Sequence, residues 1–183
     1  MPYRLLEDLQ RWAARIDRVS RSVGHIVAWF TLGMVLVTCA VVLLRYGFDL
    51  GWIAMQESVV YMHAAVFMLG AAYTLQADEH VRVDIFYRAR SPRTRAWIDL
   101  LGTAFFLLPV CAALVWFSWD YVAASWSVHE GSREAGGLPG VYLLKTLIPV
   151  TAALLALQGV STILRSLAEI LGAGGDAADG GAQ

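Results

Sequence analysis

Apolar residues occupy four long stretches of the chain. Residues 23–44, 58–77, 100–119 and 146–164 contain no Asp, Glu, Lys or Arg. Each stretch has roughly the 17–25 residues that a helix needs to cross the hydrocarbon core of a bilayer. An ionised side chain at the bilayer centre costs at least about 2.5–3.5 kcal/mol, so stretches free of charge are typical of membrane spans. The sequence therefore predicts an all-α membrane protein with four transmembrane helices in a single domain, residues 1–171.

A different pattern precedes the first stretch. From about residue 3 to 21, apolar residues fall on one side of a helix and charged residues on the other. This pattern predicts an amphipathic helix in the membrane interface, anchored by Leu9, Trp12 and Ile16, with its arginines toward anionic headgroups. The same pattern also fits a helix packed on a protein partner. Residues 172–183 are rich in Gly, Ala and Asp, and we expect them to be disordered.

Basic residues are distributed unequally between the two sides of the predicted membrane domain. Most of the 14 Lys and Arg residues precede the first span, lie between spans two and three, or follow span four. The other two connections hold only Arg45, Arg133 and Lys145. The positive-inside rule then places both termini and the middle connection in the cytoplasm.

The composition agrees with a membrane protein and argues against several other classes. The chain is 58% hydrophobic and 16% charged, whereas soluble domains carry about 25% charged residues. A net charge of -1 offers no basic surface for nucleic acid. The chain has no glycine-rich phosphate loop, nucleophile elbow or zinc-protease motif, so we expect neither enzyme activity nor a metal site. Cys39 and Cys111 lie in apolar stretches, and we expect no disulfide.

The predicted spans also lack the usual marks of a transport site. None contains an acidic or basic residue, and the chain shows no repeated pair of broken helices at the membrane midplane. Pro109 and Pro149 are single prolines that can kink spans three and four. We therefore expect a scaffold or accessory subunit that does not itself hold the transported solute.

Two histidines leave an alternative function open. His25 and His80 both fall near the cytoplasmic side of the predicted spans, where a pair of histidines can ligate a haem between helices. The chain would then be the membrane anchor of a respiratory enzyme. A histidine near a helix end is more often solvated or bonded to a neighbouring helix, so we expect no cofactor. A purely structural assembly factor is a further alternative.

Short motifs recur in a fixed order from span one to span four. They are Arg45-Tyr46, Trp52, Gln56-Glu57, residues 67–72, His80-Val81-Arg82-Val83-Asp84, Glu130-Gly131-Ser132, Gly137-Leu138-Pro139, Lys145 and Ile148-Pro149. Together with the four spans, they resemble the small membrane subunit, of DctQ type, of tripartite ATP-independent periplasmic (TRAP) transporters.

The resemblance implies a function and partners. Such subunits assemble with a large permease that carries solute and sodium, and with a periplasmic binding protein that captures the solute, commonly an organic acid. The chain would be a fixed scaffold in the bacterial inner membrane, in contact with lipids. The resemblance and the outer position make five residues candidate contacts for the binding protein: Arg45, Trp52, Glu57, Glu130 and Arg133. The cytoplasmic motif of the family corresponds to His80, Val81, Arg82, Val83 and Asp84.

Overall fold

The computed structural model describes residues 2–80, 87 and 89–179. Its five α-helices are α1 (Pro2–Phe48), α2 (Ile53–Gln76), α3 (Pro92–Gly102), α4 (Leu108–Ser127) and α5 (Val141–Asp179). A π-helical turn, Thr103–Leu107, joins α3 and α4 into one continuous segment. This part of the chain contains no strand, and four of its helical segments are long and apolar enough to cross a membrane. The predicted all-α fold with four spans is confirmed.

The predicted interfacial helix and first span form one helix, which differs from the sequence prediction. Residues 3–21 are the N-terminal part of α1, because no proline interrupts them and most are good helix formers. A helix of 47 residues is about 70 Å long, more than twice the hydrocarbon thickness, so α1 extends beyond the membrane. Helix α5 also continues past the predicted fourth span, to Asp179. The sidedness of the termini, the interfacial position and the disorder of residues 172–183 stay predictions.

Helix α5 lies at the centre of the helix array. It packs against all the other helices and the π turn, and α1 packs against α2. Within the described residues, α4 contacts α5 and the π turn but neither α1 nor α2. Gly24 and Gly33 of α1 face Tyr73 and Met62 of α2, so these two helices are antiparallel. The bond from Trp126, late in α4, to Thr146, early in α5, shows the same for α4 and α5. The array is therefore open, with α1 and α2 on one side of α5 and α4 on the other.

Small residues allow the helices to approach closely. A Cβ atom at Gly24 of α1 would come closer than 3.0 Å to the Tyr73 ring of α2. A Cβ at Gly159 of α5 would lie 3.1 Å from both Leu107 and Thr103, in the π turn. Glycine at such positions is typical of membrane helix interfaces, where van der Waals contact replaces the hydrophobic driving force.

The π turn has a local cause in the sequence. Pro109 is the second residue after the turn. It has no N–H to donate to the carbonyl of Phe105, and its ring would collide with that carbonyl in a regular α-helix. One wider turn relieves the collision and lets the helix continue. Span three therefore belongs to a helical segment that runs from Pro92 to Ser127, well beyond its predicted limits of 100 and 119.

Candidate functional site

The loop between α4 and α5, residues 128–140, is bonded directly to α2. Glu57, in the first turns of α2, accepts hydrogen bonds from the Ser132 hydroxyl and from the backbone N–H of Leu138 at 2.6 Å. Within the loop, the Ser132 N–H donates to the Leu138 carbonyl at 3.0 Å. One carboxylate thus holds both sides of the loop against the start of α2.

Gly137 makes this contact possible. A Cβ atom at this position would lie 2.8 Å from Oε1 of Glu57 and would also overlap the side chain of Ser132. Both neighbours are held by hydrogen bonds to each other, so neither is free to move aside. Glycine is therefore required here by space, since a larger residue would separate Glu57 from the loop.

Glu130 forms a second polar contact at the same end of the array. It accepts hydrogen bonds from the Ser125 hydroxyl of α4 at 2.7 Å and from Nζ of Lys145 in α5 at 2.5 Å. Nζ of Lys145 also lies 4.0 Å from the centre of the Tyr121 ring. The Lys145 ammonium, followed by the Ser125 hydroxyl, holds the pKa of Glu130 below its ordinary value. The loop is thereby joined to α4 and α5 as well as to α2.

The five predicted contact residues have different surroundings. Arg45, Trp52 and Arg133 are exposed, whereas Glu57 and Glu130 are partly buried and engaged in hydrogen bonds within the chain. The sequence does not distinguish the two groups, because the direction of each carboxylate depends on which helix packs beside it. We call Arg45, Trp52 and Arg133 the outer exposed group, after the predicted orientation.

A polar cluster joins α1 to α5 near the other end of the array. Oδ1 of Asp17 accepts hydrogen bonds from Gln158 at 3.0 Å and from Ser161 at 2.7 Å, and Oδ2 pairs with Arg165. The Ser20 hydroxyl donates to the Gln158 side chain at 2.7 Å. Ser20, Gln158 and Ser161 are almost completely buried. Every polar group of this cluster has a partner, which is the condition for burying such groups among apolar helices.

Sequence reasoning missed this cluster, although one signal points to it. Gln158 and Ser161 lie three residues apart inside the apolar stretch 146–164, so they share one face of α5. A glutamine in the middle of a predicted span requires a hydrogen-bond partner on a neighbouring helix. What the sequence does not show is that the partner is Asp17.

The predicted anchor residues lie on the N-terminal part of α1. Trp12 is 57% exposed, and Leu9 and Ile16 are partly exposed, while Ala13 between them is buried. The Arg15 guanidinium lies 4.7 Å from the centre of the Trp12 ring. This face of α1 is therefore available for contact with lipid or protein.

The structure describes His25 and His80, and His80 is the one residue of the predicted cytoplasmic motif that it describes. His80 is exposed and lines a groove between α1 and α2, and Val81, Arg82, Val83 and Asp84 lie outside the described residues. The His25 ring lies 5.8 Å from the ring of Tyr73. In the part of the chain that is described, no group of three or more His, Cys, Asp or Glu residues is arranged to hold a metal ion.

Four apolar helices with polar contacts near their ends define a multi-pass membrane protein. Residues 34–169 match the family model described as "Tripartite ATP-independent periplasmic transporters, DctQ component". This match covers most of the chain, and the chain belongs to the DctQ family, as its motifs predicted. Members are transport components and not enzymes, and the family together with the four apolar helices identifies a multi-pass protein of the inner membrane.

One curated relative is similar over part of its length. The "C4-dicarboxylate TRAP transporter small permease protein DctQ" of Vibrio cholerae serotype O1 is 28% identical over 113 residues, which are 61% of this chain and 48% of the relative. The chain thus spans about half the length of the curated relative that it matches. No solved structure matches the chain.

The hydrogen bonds of Glu57 should keep the loop between α4 and α5 in place. We expect Glu57→Gln and Gly137→Ala to loosen residues 128–140, because each disrupts the bonds to Ser132 and Leu138. Limited trypsin digestion of the purified protein, read by mass spectrometry, should show roughly three- to tenfold faster cleavage after Arg133. Gln56→Ala, an exposed change next to Glu57, is the control, because it leaves these bonds and the residues around Arg133 unchanged. Equal cleavage rates in all variants would show that Glu57 does not hold the loop.

Proposed function

We propose that this chain is the small permease subunit of a TRAP transporter and acts as a fixed scaffold for the large permease. The complex would take up a small organic acid, driven by sodium and dependent on a periplasmic binding protein. Membership of the DctQ family supports this assignment. The name of the Vibrio cholerae relative specifies C4-dicarboxylates, and we propose a solute of the same chemical class.

The observation that carries the scaffold role is the open helix array. Within the described residues, α4 packs on α5 alone among the membrane-crossing helices, and these residues leave most of its surface uncovered. Trp116 and Phe117 are 79% and 80% exposed. Exposed apolar side chains of this kind on a membrane protein require contact with lipid or with another membrane protein. An open array offers much lateral surface to a large partner and no enclosed path for a solute of its own.

The outer exposed group is the proposed contact with the binding protein. Arg45, Trp52 and Arg133 combine two positive charges with one aromatic side chain, a combination that is enriched at protein interfaces. Glu57 and Glu130 contribute indirectly, since their hydrogen bonds fix the loop that carries Arg133. A loop ordered in advance loses less conformational entropy when the partner binds.

The exposed face of α1 is the proposed attachment to the inner leaflet. Leu9, Trp12 and Ile16 would insert among lipid headgroups while nearby arginines contact anionic phosphates. Replacing all three residues by Ser should reduce recovery of the assembled complex from the membrane. If assembly and uptake were unchanged in this triple variant, α1 would not anchor the scaffold in this way.

Uptake measurements test the proposed function. In proteoliposomes that contain both permease subunits, the variant Trp52→Ala/Arg133→Glu should take up radiolabelled succinate more slowly at a limiting concentration of binding protein. The defect should shrink at saturating binding protein, since only docking is weakened. It should also shrink as salt rises, because salt screens the contribution of Arg133 in the unmodified complex.

Glu134→Gln serves as the control for uptake, because it removes a charge from the same loop outside the outer exposed group. Equal uptake by the double variant and the unmodified protein at every concentration would contradict the docking role. If the unmodified chain did not co-purify with a large permease, the assignment as a transporter subunit would itself be wrong.

A further inference from the structure

Asp120 is an acidic residue inside the third membrane-crossing segment. The charge-free stretch ends at residue 119, but the helix continues to Ser127. Asp120 therefore lies about two turns before the end of α4 and not in a connecting loop. Its neighbours along the helix include Trp116, Phe117 and Trp119, all largely exposed.

The contacts between α4 and α5 indicate the depth of Asp120. Nε1 of Trp126 donates to the Thr146 hydroxyl at 2.8 Å, near the start of the apolar stretch of α5. Asp120 precedes Trp126 in α4, and at 1.5 Å per residue the two lie about 9 Å apart along the helix axis. The groove between the two antiparallel helices is lined from Val115 to Trp126 on one side and from Thr146 to Ala153 on the other. Asp120 is therefore level with apolar residues of α5, while the Lys145 ammonium reaches the ring of Tyr121, the next residue of α4.

The side chain of Asp120 differs from the other acidic residues of the helices near the membrane. Asp17, Glu57 and Glu130 each accept hydrogen bonds from several groups of the chain. Asp120 is exposed, and among the described residues no side chain pairs with it. An acidic residue within a membrane-crossing helix is expensive without a partner and usually faces another protein group or an aqueous cavity.

Aromatic residues form a groove around this carboxylate. The groove has a volume of about 610 Å³ and is lined by Ala112, Val115, Trp116, Trp119 and Asp120. We call these five residues the α4 acidic groove. All five residues lie on one face of α4, and tryptophan is enriched among the residues that anchor protein interfaces.

We propose that the α4 acidic groove binds a transmembrane helix of the large permease that presents a lysine or arginine to Asp120. The inference rests on the proposed function and assigns one surface to that partner. Charge complementarity selects a basic side chain, because pairing removes the unmatched carboxylate from the apolar surroundings. A second copy of this chain fits poorly, since a twofold dimer on this face would bring two Asp120 carboxylates together.

Co-purification from membranes tests the pairing. A tagged chain would be produced with its large permease, extracted in mild detergent, and the recovered permease quantified. We expect Asp120→Lys to reduce recovery by about tenfold or more, as for the loss of a buried charge pair. Asp120→Asn should give a smaller loss and Asp120→Glu should preserve the complex. Asp99→Asn and Glu134→Lys are controls, because these residues are acidic but lie outside the groove.

Site-specific photocrosslinking identifies the occupant directly. A photoreactive residue at position 112, in the wall of the groove, should crosslink to a permease segment that contains Lys or Arg. Crosslinks only to lipid, or to a second copy of the chain, would overturn the inference. Normal recovery of the permease with Asp120→Lys would do the same while leaving the proposed function intact. If the unmodified chain recovered no permease, the proposed function would be the part that fails.

Discussion

Polar side chains among apolar helices must find partners within the protein, because hydrocarbon offers none. Asp17 meets this requirement through Gln158, Ser161 and Arg165 of α5. At the opposite end of the array, Glu130 binds Lys145 of α5, and Glu57 holds the connecting loop. Helix α5 is thus fixed near both ends by polar contacts, and these specify its register more sharply than non-directional apolar packing does.

The helix array follows from this central position of α5. The α1 and α2 pair, closely packed at Gly24, lies on one side of α5, and α4 lies on the other. Such an arrangement is held together along a single helix and leaves both outer sides open to lipid and partners. A subunit of this kind is well suited to remain in place while a larger protein moves beside it, which is the role that we propose.

Much of the fold could be predicted from the distribution of charge, because a membrane excludes ionised groups from its interior. The family was predicted from the resemblance of the short motifs. The limits of that reasoning lie in contacts distant along the chain. Asp17 and Gln158 are 141 residues apart, and no local pattern shows that they meet. The continuous α1 and the π turn before Pro109 follow from helix propensity and from the proline ring, which the distribution of charge does not report. Likewise, the sequence made Glu57 a candidate contact for the binding protein, whereas its carboxylate accepts hydrogen bonds from the loop of the same chain.

A fixed scaffold requires the helix array to keep one geometry during transport. Cys39 of α1 is exposed and can carry a spin label, and a second label can be placed at Leu114→Cys on the exposed side of α4, with Cys111→Ala removing the buried thiol. Pulsed electron–electron double resonance on the assembled transporter would report the distance between the labels on α1 and α4. We expect one distance distribution between the labels, unchanged by sodium, solute and binding protein. A shift of the distribution by several ångströms on addition of these ligands would contradict the scaffold role.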